Sequence, residues 1–278
     1  FRQLFFDGRR QQLARYPNVD PARPFESGWA FVDAEPVAAE RLGETGAKRI
    51  FRIAAADLRP WARPTDAEVS IFPSHEWWNN IIPVTAFDRA SRILTLARNG
   101  SYEIQPGDRY FVQGPLEELD APGEWHLDAD KGTLHFWPPE PIGGREVYAP
   151  RLKTLLEIGP GAAHVSFRGL TFEYCEGTAI ALRDATNCLI AGCMIQNVGD
   201  YGGSGVSIVG GTGNGVVGCH IADTGSHGIS LAGGDEKALA PAGNYAEGNE
   251  ITRTGAFHKQ GCGIQLGGTG NRVARNHL

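Results

Sequence analysis

The chemistry-bearing residues of this chain lie at recurring positions in its last third. Counting back six residues from the first apolar residue of each alternating segment gives Tyr174, Asp200, Asp223 and His258. If these positions stack at the roughly 4.8 Å spacing of paired strands, Asp200 and Asp223 lie about 5 Å apart. Two carboxylates at that separation can divide the hydrolysis of an acetal, one as nucleophile and the other as acid/base. Their mutual repulsion raises one pKa, which suits an acid at neutral pH. The competing reading is an ordinary solvated turn, because turns are rich in Asp.

Asp235 is the strongest single candidate. Gly233-Gly234 bring backbone close to it, and it opens a long excursion, Asp235-Glu-Lys-Ala-Leu-Ala-Pro-Ala-Gly-Asn244, from an otherwise compact repeat. Long excursions from a rigid scaffold are where binding residues gather, although an Asp there can equally cap its own turn. His227 precedes one strand, and His258 sits in the polar column. Glu236, Lys237, Tyr201 and Gln265 complete the substrate-binding candidates, whereas Glu173, Glu176, Asp184 and Glu250 read as ordinary turn carboxylates.

The elements that must position these groups repeat. Five segments superimpose on Phe172, Ile195, Ile221, Ile251 and Leu278, at spacings of 23, 26, 30 and 27 residues. Two residues earlier stand Leu170, Cys193, Cys219, Asn249 and Asn276, and one before those Gly169, Gly192, Gly218, Gly248 and Arg275. Each repeat also carries an apolar pair of period two: Ile180 and Leu182, Val206 and Ile208, Ile229 and Leu231, Ile264 and Leu266. Short strands in a repeat of this length cannot bury an apolar face alone, so the coils stack, as in a right-handed parallel β-helix. The fold class is therefore all-β.

Composition divides the chain. Residues 151–278 hold 26 of the 37 glycines and two of the 17 prolines, whereas residues 1–150 hold all six tryptophans. The expected domains are a strand and turn of the β-helix at 1–18, an inserted β-rich, sandwich-like module at 19–144 and the coils at 145–278. Strands are expected within Arg92–Ala97, Gly107–Val112 and Gly132–Trp137. Asp128-Ala-Asp130-Lys-Gly132 starts like a calcium loop, but its twelfth position is Pro139, so it reads as a turn. Trp77 and Trp78 could stack on a sugar ring. As neighbours in a strand, one instead fills the core and the other covers the junction with the coils.

The net charge of −6 without a basic cluster gives no support to a nucleic-acid partner. No apolar run is long enough to span a membrane. All five cysteines lie in the repeats, without Cys-x-x-Cys pairs or clustered His, so neither a metal nor another cofactor is expected. Cys193 and Cys219 share a column and are expected to stack as small buried residues. The chain opens on the strand–turn–strand pattern Leu4-Phe-Phe-Asp-Gly-Arg-Arg10 and closes halfway through a coil. It therefore reads as part of a longer protein whose signal peptide would lie outside it.

Several stretches together resemble the inserted module and coils of secreted bacterial β-helix proteins similar to glycoside hydrolase families 141 and 120. They are Asp7-Gly-Arg-Arg10, Leu13-Ala-Arg-Tyr-Pro-Asn18, Gly107-Asp-Arg-Tyr-Phe111, Glu117-Glu-Leu-Asp-Ala-Pro-Gly-Glu-Trp125, Gly132-Thr-Leu-His-Phe-Trp-Pro138 and Gly228-Ile-Ser-Leu-Ala-Gly-Gly-Asp235. The resemblance implies a secreted or periplasmic carbohydrate-active protein and favours a catalytic or substrate-contacting Asp235. With the column read above, the chain is expected to be a glycoside hydrolase acting on a polysaccharide or oligosaccharide, its two catalytic carboxylates drawn from Asp235, Asp223 and Asp200. A polysaccharide lyase and a noncatalytic glycan-binding or adhesive β-helix are the rival readings. Oligomeric state is not set by the sequence.

Overall fold

The computed structural model describes residues 1–24 and 26–278, leaving aside the side chains of 44 and 45. The chain divides into two compact units, Phe1–Arg10 with Glu146–Leu278, and Gln11–Arg145. The first division falls at residue 10 rather than 18 because Gln12–Leu13 pair with Glu124–Trp125, and Arg15–Tyr16 with Val112–Gln113, inside the second unit.

The unit containing the coils has three parallel sheets. The first stacks Leu156–Ile158, Ile180–Arg183, Val206–Val209, Ile229–Gly233 and Ile264–Gly268. The second stacks Ser166–Arg168, Leu189–Ala191, Gly215–Val217, Tyr245–Glu247 and Arg272–Ala274, and the third Thr171–Cys175, Met194–Val198, His220–Thr224 and Glu250–Thr252. The expected columns are the observed register: Ile180 pairs Val206, Val206 pairs Ile229 and Ile229 pairs Ile264. Phe172, Ile195, Ile221 and Ile251 likewise follow one another.

These inward residues form one continuous core with Ile190, Val216 and Ala246. Most are fully buried, and each large aliphatic side chain contributes about 1.5–3 kcal/mol of transfer free energy. At the tight bend from second to third sheet, Gly169, Gly192, Gly218 and Gly248 all have φ near +60°. That left-handed conformation is what glycine adopts without steric cost.

Beside that bend runs a polar ladder. The Cys219 amide donates to Asn249 Oδ1 (2.9 Å) and the Asn249 amide to Asn276 Oδ1 (2.9 Å), while Asn249 Nδ2 donates to the Val216 carbonyl (3.0 Å). A second ladder follows Cys188, Asn214, Asn244 and Asn271 at the other end of the second sheet. Cys193 and Cys219 are buried in the first ladder, with thiols over carbonyl oxygens of the preceding coil. At the start of the chain, Phe5–Phe6 and Arg9–Arg10 form a hairpin through Asp7 and Gly8, and Val147–Tyr148 pairs with its first strand.

The inserted unit contains a seven-stranded antiparallel sheet and a three-stranded sheet. Ile93–Leu96, Arg109–Gln113 and Thr133–Phe136 are strands, within or overlapping the three stretches where strands are expected. Its core centres on Phe51, Val69, Ile71, Ile82, Leu94, Leu96 and Tyr110. Asp128 begins the hairpin turn to Thr133 and takes ion pairs from Lys131 (3.0 Å) and Arg63 (3.3 Å). Trp77 and Trp78 both project outward, contrary to the expectation that one fills the core, because the chain leaves strand geometry between Ile71 and Asn80.

Candidate functional site

The corner leading from the third sheet to the first carries most of the candidate residues. On four successive coils one residue in or just after the third strand adopts a left-handed conformation: Tyr174 (φ 58°), Asn197 (54°), Asp223 (53°) and Arg253 (50°). The residues flanking the first three stay paired, Glu173 with Gln196 and Ala222, and Cys175 with Val198 and Thr224. For residues with a Cβ such a conformation costs on the order of 1 kcal/mol. Its repetition marks the same local turn of the backbone at this position on all four coils.

This column corrects the expected one. Asn197, not Asp200, stands next to Asp223, and Arg253, not His258, follows it. Seven residues separate Val198 from Val206 at one corner, but only four separate Thr224 from Ile229 at the next. Counting backwards from the first strand therefore crosses corners of unequal length. Asp223 accepts two hydrogen bonds from Arg253, from Nε and Nη2, both 2.7 Å. Its carbonyl accepts one from Arg10 Nη2 (3.0 Å). The Arg10 guanidinium lies over the rings of Phe5 and Phe257, and burial pulls its pKa down to about 10 against the opposing pull of Asp223.

Asp200 has a different carboxylate neighbour. Its amide donates to the Glu176 carbonyl (2.6 Å), and Lys153 Nζ lies 3.7 Å from Asp200 Oδ2 and 2.6 Å from Glu176 Oε2. Those two distances cap the separation of the carboxylate oxygens at about 6 Å. The Glu176 side chain is almost wholly buried, and its other oxygen accepts the Arg2 amide (2.6 Å). Burial works to raise the Glu176 pKa, but the bonds from Lys153 and the Arg2 amide outweigh it and leave it lowered. Lys153 is raised in turn, chiefly by its bond to Glu176.

Sequence reasoning passed over both Glu176 and Lys153. Next to Glu176, Gly177 packs against the Lys153 carbonyl, which an added Cβ would meet at 2.5 Å. Lys153 precedes the first repeat, so no column points to it. Beside Lys153, Thr178, Ala181, Arg183, Ser207 and Val209 line a concavity of about 250 Å³ on the outer face of the first sheet.

The other candidates fall in three places. Tyr201 joins the same corner, with the Arg2 guanidinium 4.6 Å over its ring and Phe257 edge-on at 5.3 Å. His227 and His258 also lie there. The Cys262 amide donates to His227 Nδ1 (3.1 Å), and the His258 amide donates to the Gly225 carbonyl (3.0 Å). Burial lowers both imidazole pKa values, and His258 lowers that of His227 further.

Asp235, Glu236 and Lys237 are exposed at the opposite end of strand Ile229–Gly233, whose five residues span roughly 13 Å. Asp235 and Asp223 are therefore not a working pair. Asp235 Oδ1 accepts the amides of Lys237 (2.8 Å) and Ala238 (3.0 Å), closing its own turn. Gln265 lies on the outer face of the first sheet, 3.4 Å from the Ser230 hydroxyl. Among the described residues no group of three His, Cys, Asp or Glu is arranged to hold a metal ion, and no helix is long and apolar enough to cross a membrane.

Residues 155–278 match the family model described as the right handed beta helix region. The coil region is a right-handed parallel β-helix. A solved structure described as "Glycoside hydrolase" aligns with 94% of this chain and 55% of its own at a TM-score of 0.69, with 15% sequence identity. The chain thus spans about half the length of that structure, and at this identity the likeness is one of fold. The tailspike protein gp49 from Pseudomonas phage LKA1 aligns with 89% of this chain and 41% of its own at 10% identity, with a TM-score of 0.23 that carries no argument. No curated protein matches the chain.

Proposed function

We propose that this β-helix is a glycoside hydrolase acting on a polysaccharide, with Glu176 and Asp200 as its carboxylate pair. The observation that carries the reading is the shared lysine: Lys153 bridges two carboxylates on adjacent coils and borders the concavity on the first sheet. The upper bound of about 6 Å set by the shared lysine leaves room for a retaining pair, for which about 5–5.5 Å is usual. Glu176, held ionised, is suited to nucleophilic attack or to stabilising positive charge at the anomeric carbon. Asp200, less buried, takes the role of the acid that protonates the departing oxygen. Tyr201 beside it is engaged by Arg2, which lies over its ring and donates to its hydroxyl (3.4 Å). Likeness of fold to a glycoside hydrolase supports the same direction. Asp223 and Asp235 take supporting positions, the first neutralised by Arg253 and the second engaged with loop amides.

The test is cleavage of a polysaccharide panel by the protein, read as new reducing ends, with Asp200→Asn and Glu176→Gln alongside. Loss of polysaccharide cleavage in both, with Asp200→Asn alone still turning over aryl glycosides whose leaving groups need no proton, is the expected result. An unsaturated product would indicate a lyase, and binding without cleavage would indicate an adhesive protein. Either would overturn the proposal.

A further inference from the structure

The inserted unit displays an aromatic feature that the proposed catalysis does not use. His75, Glu76, Trp77 and Trp78 are all exposed, with Trp77 at 67% and Trp78 at 47%, although Phe72 and Pro73 before them and Asn79 and Asn80 after them are buried. Scattered apolar residues on a surface are ordinary, but two adjacent indoles in water are not.

The segment is held in this shape by buried polar groups. Ser74 and Glu76 have φ of 56° and 58°, in the left-handed region. The Ser74 amide donates to both oxygens of the buried Asp108 carboxylate at 3.0 Å, and its hydroxyl donates to the Glu103 carbonyl (2.7 Å). Downstream, Asn80 Nδ2 donates to the Trp78 carbonyl (3.3 Å), while Asn80 Oδ1 accepts the Ser101 amide (3.0 Å). His75 flanks Trp77 edge-on at 5.9 Å and meets Tyr102 at 5.0 Å. Aromatic groups fixed before a ligand arrives lose little freedom on binding it.

We propose that Trp77 and Trp78 form a binding platform for a neutral glycan chain of equatorially linked pyranose units. Such rings present their axial C–H groups as a flat apolar face that matches an indole, and large rigid aromatics supply contact area at low entropic cost. His75 and Glu76, beside the indoles, offer the hydrogen-bonding groups that the hydroxyl edge of the ring requires. The Glu76 carboxylate also repels an anionic chain, so uronate-rich or sulfated glycans fit this surface poorly.

All six tryptophans lie in the inserted unit, so intrinsic fluorescence reports on it. The experiment titrates the full chain carrying Asp200→Asn, which leaves the probe uncut, with cellohexaose, xylohexaose, maltohexaose and an oligogalacturonate. We expect cellohexaose or xylohexaose to shift the emission, and Trp77→Ala and Trp78→Ala each to weaken binding at least tenfold. Trp77→Phe, which keeps a ring, is expected to weaken it less, and Trp137→Ala to leave it unchanged. Unaltered melting and circular dichroism of the alanine variants establish that they fold. The proposal fails if neither β-linked probe binds, if affinity stays within twofold in both alanine variants, or if the oligogalacturonate binds as tightly. Because Asp200→Asn is common to every titration, these outcomes are independent of whether the coil corner is catalytic.

Discussion

Asp223 and Arg253 occupy the same left-handed backbone position on successive coils, and the guanidinium grips the carboxylate through two hydrogen bonds of 2.7 Å. The geometry is bidentate, yet the two side chains are 33% and 65% exposed, so solvent screens them. Exposed pairs contribute about 0.2–1 kcal/mol. Asp223→Ala and Arg253→Ala are expected to lower unfolding stability by no more than about 1 kcal/mol each, with the difference shrinking in high salt. Urea denaturation at two ionic strengths measures this, and an insensitivity to salt would contradict it. Asp223→Asn should retain cleavage.

Gly225 tests how Asp200 is positioned. A Cβ there would meet the carbonyl oxygens of Asp200 at 2.1 Å and Gly199 at 2.3 Å, both of them backbone atoms. Gly225→Ala must displace the turn that carries Asp200, so polysaccharide cleavage should fall at least tenfold. Gly202→Ala, with open space around it, serves as the control and should cleave normally. Equal activity in the two variants would argue against Asp200.

The asparagine ladder predicts a large stability effect from a small polar deletion. Asn249 is 1% exposed, and its removal leaves the Cys219 amide and the Val216 carbonyl without their partner. A stranded buried group costs about 1–3 kcal/mol. Asn249→Ala should therefore destabilise the coils by on the order of 3 kcal/mol. The readout is the chemical denaturation midpoint at constant m-value.

Acid should destabilise the coils in two windows. The lowered pKa values of His227 and His258 mean that the folded protein binds fewer protons there than the unfolded chain, so stability present above 6.5, their ordinary value, is lost as pH falls from there through their lowered folded values. Protonation at Nδ1 of His227 also removes the acceptor for the Cys262 amide. Glu176, likewise lowered, contributes stability that is present above its ordinary 4.5 and disappears as pH falls through its folded value. Glu176→Gln should flatten the lower window and His227→Ala part of the upper one. Melting temperatures between pH 3 and 8, compared with those of the parent, would sink this account if the profiles were parallel.

The strands were legible in the sequence because inward positions answer to two demands at once, pairing with the next coil and filling the core. Ile180, Val206, Ile229 and Ile264 could not slip by one residue without turning outward. Corners obey neither demand, which is why Asp200 was paired with the wrong neighbour. Counting forward two residues from Phe172, Ile195, Ile221 and Ile251 would have found Tyr174, Asn197, Asp223 and Arg253, since no corner intervenes. Glu176 was hidden for another reason: its burial depends on Arg2 and Lys153, which are distant in sequence and outside any repeat. Trp77 and Trp78 were misjudged because strand alternation was assumed where Ser74 and Glu76 take left-handed backbone.

The unequal corners have a further consequence for how such a molecule can change. Between third and first sheets the connections run to four, seven, four and eleven residues, yet the strands on either side keep one register. Insertions and deletions at these points leave the interior undisturbed, so the length and composition of each corner can vary independently of its neighbours. The scaffold can thus acquire new surface chemistry one coil at a time, and foreign loops could be grafted at Gly199–Gly205 or Arg253–Gly263 without redesigning the core.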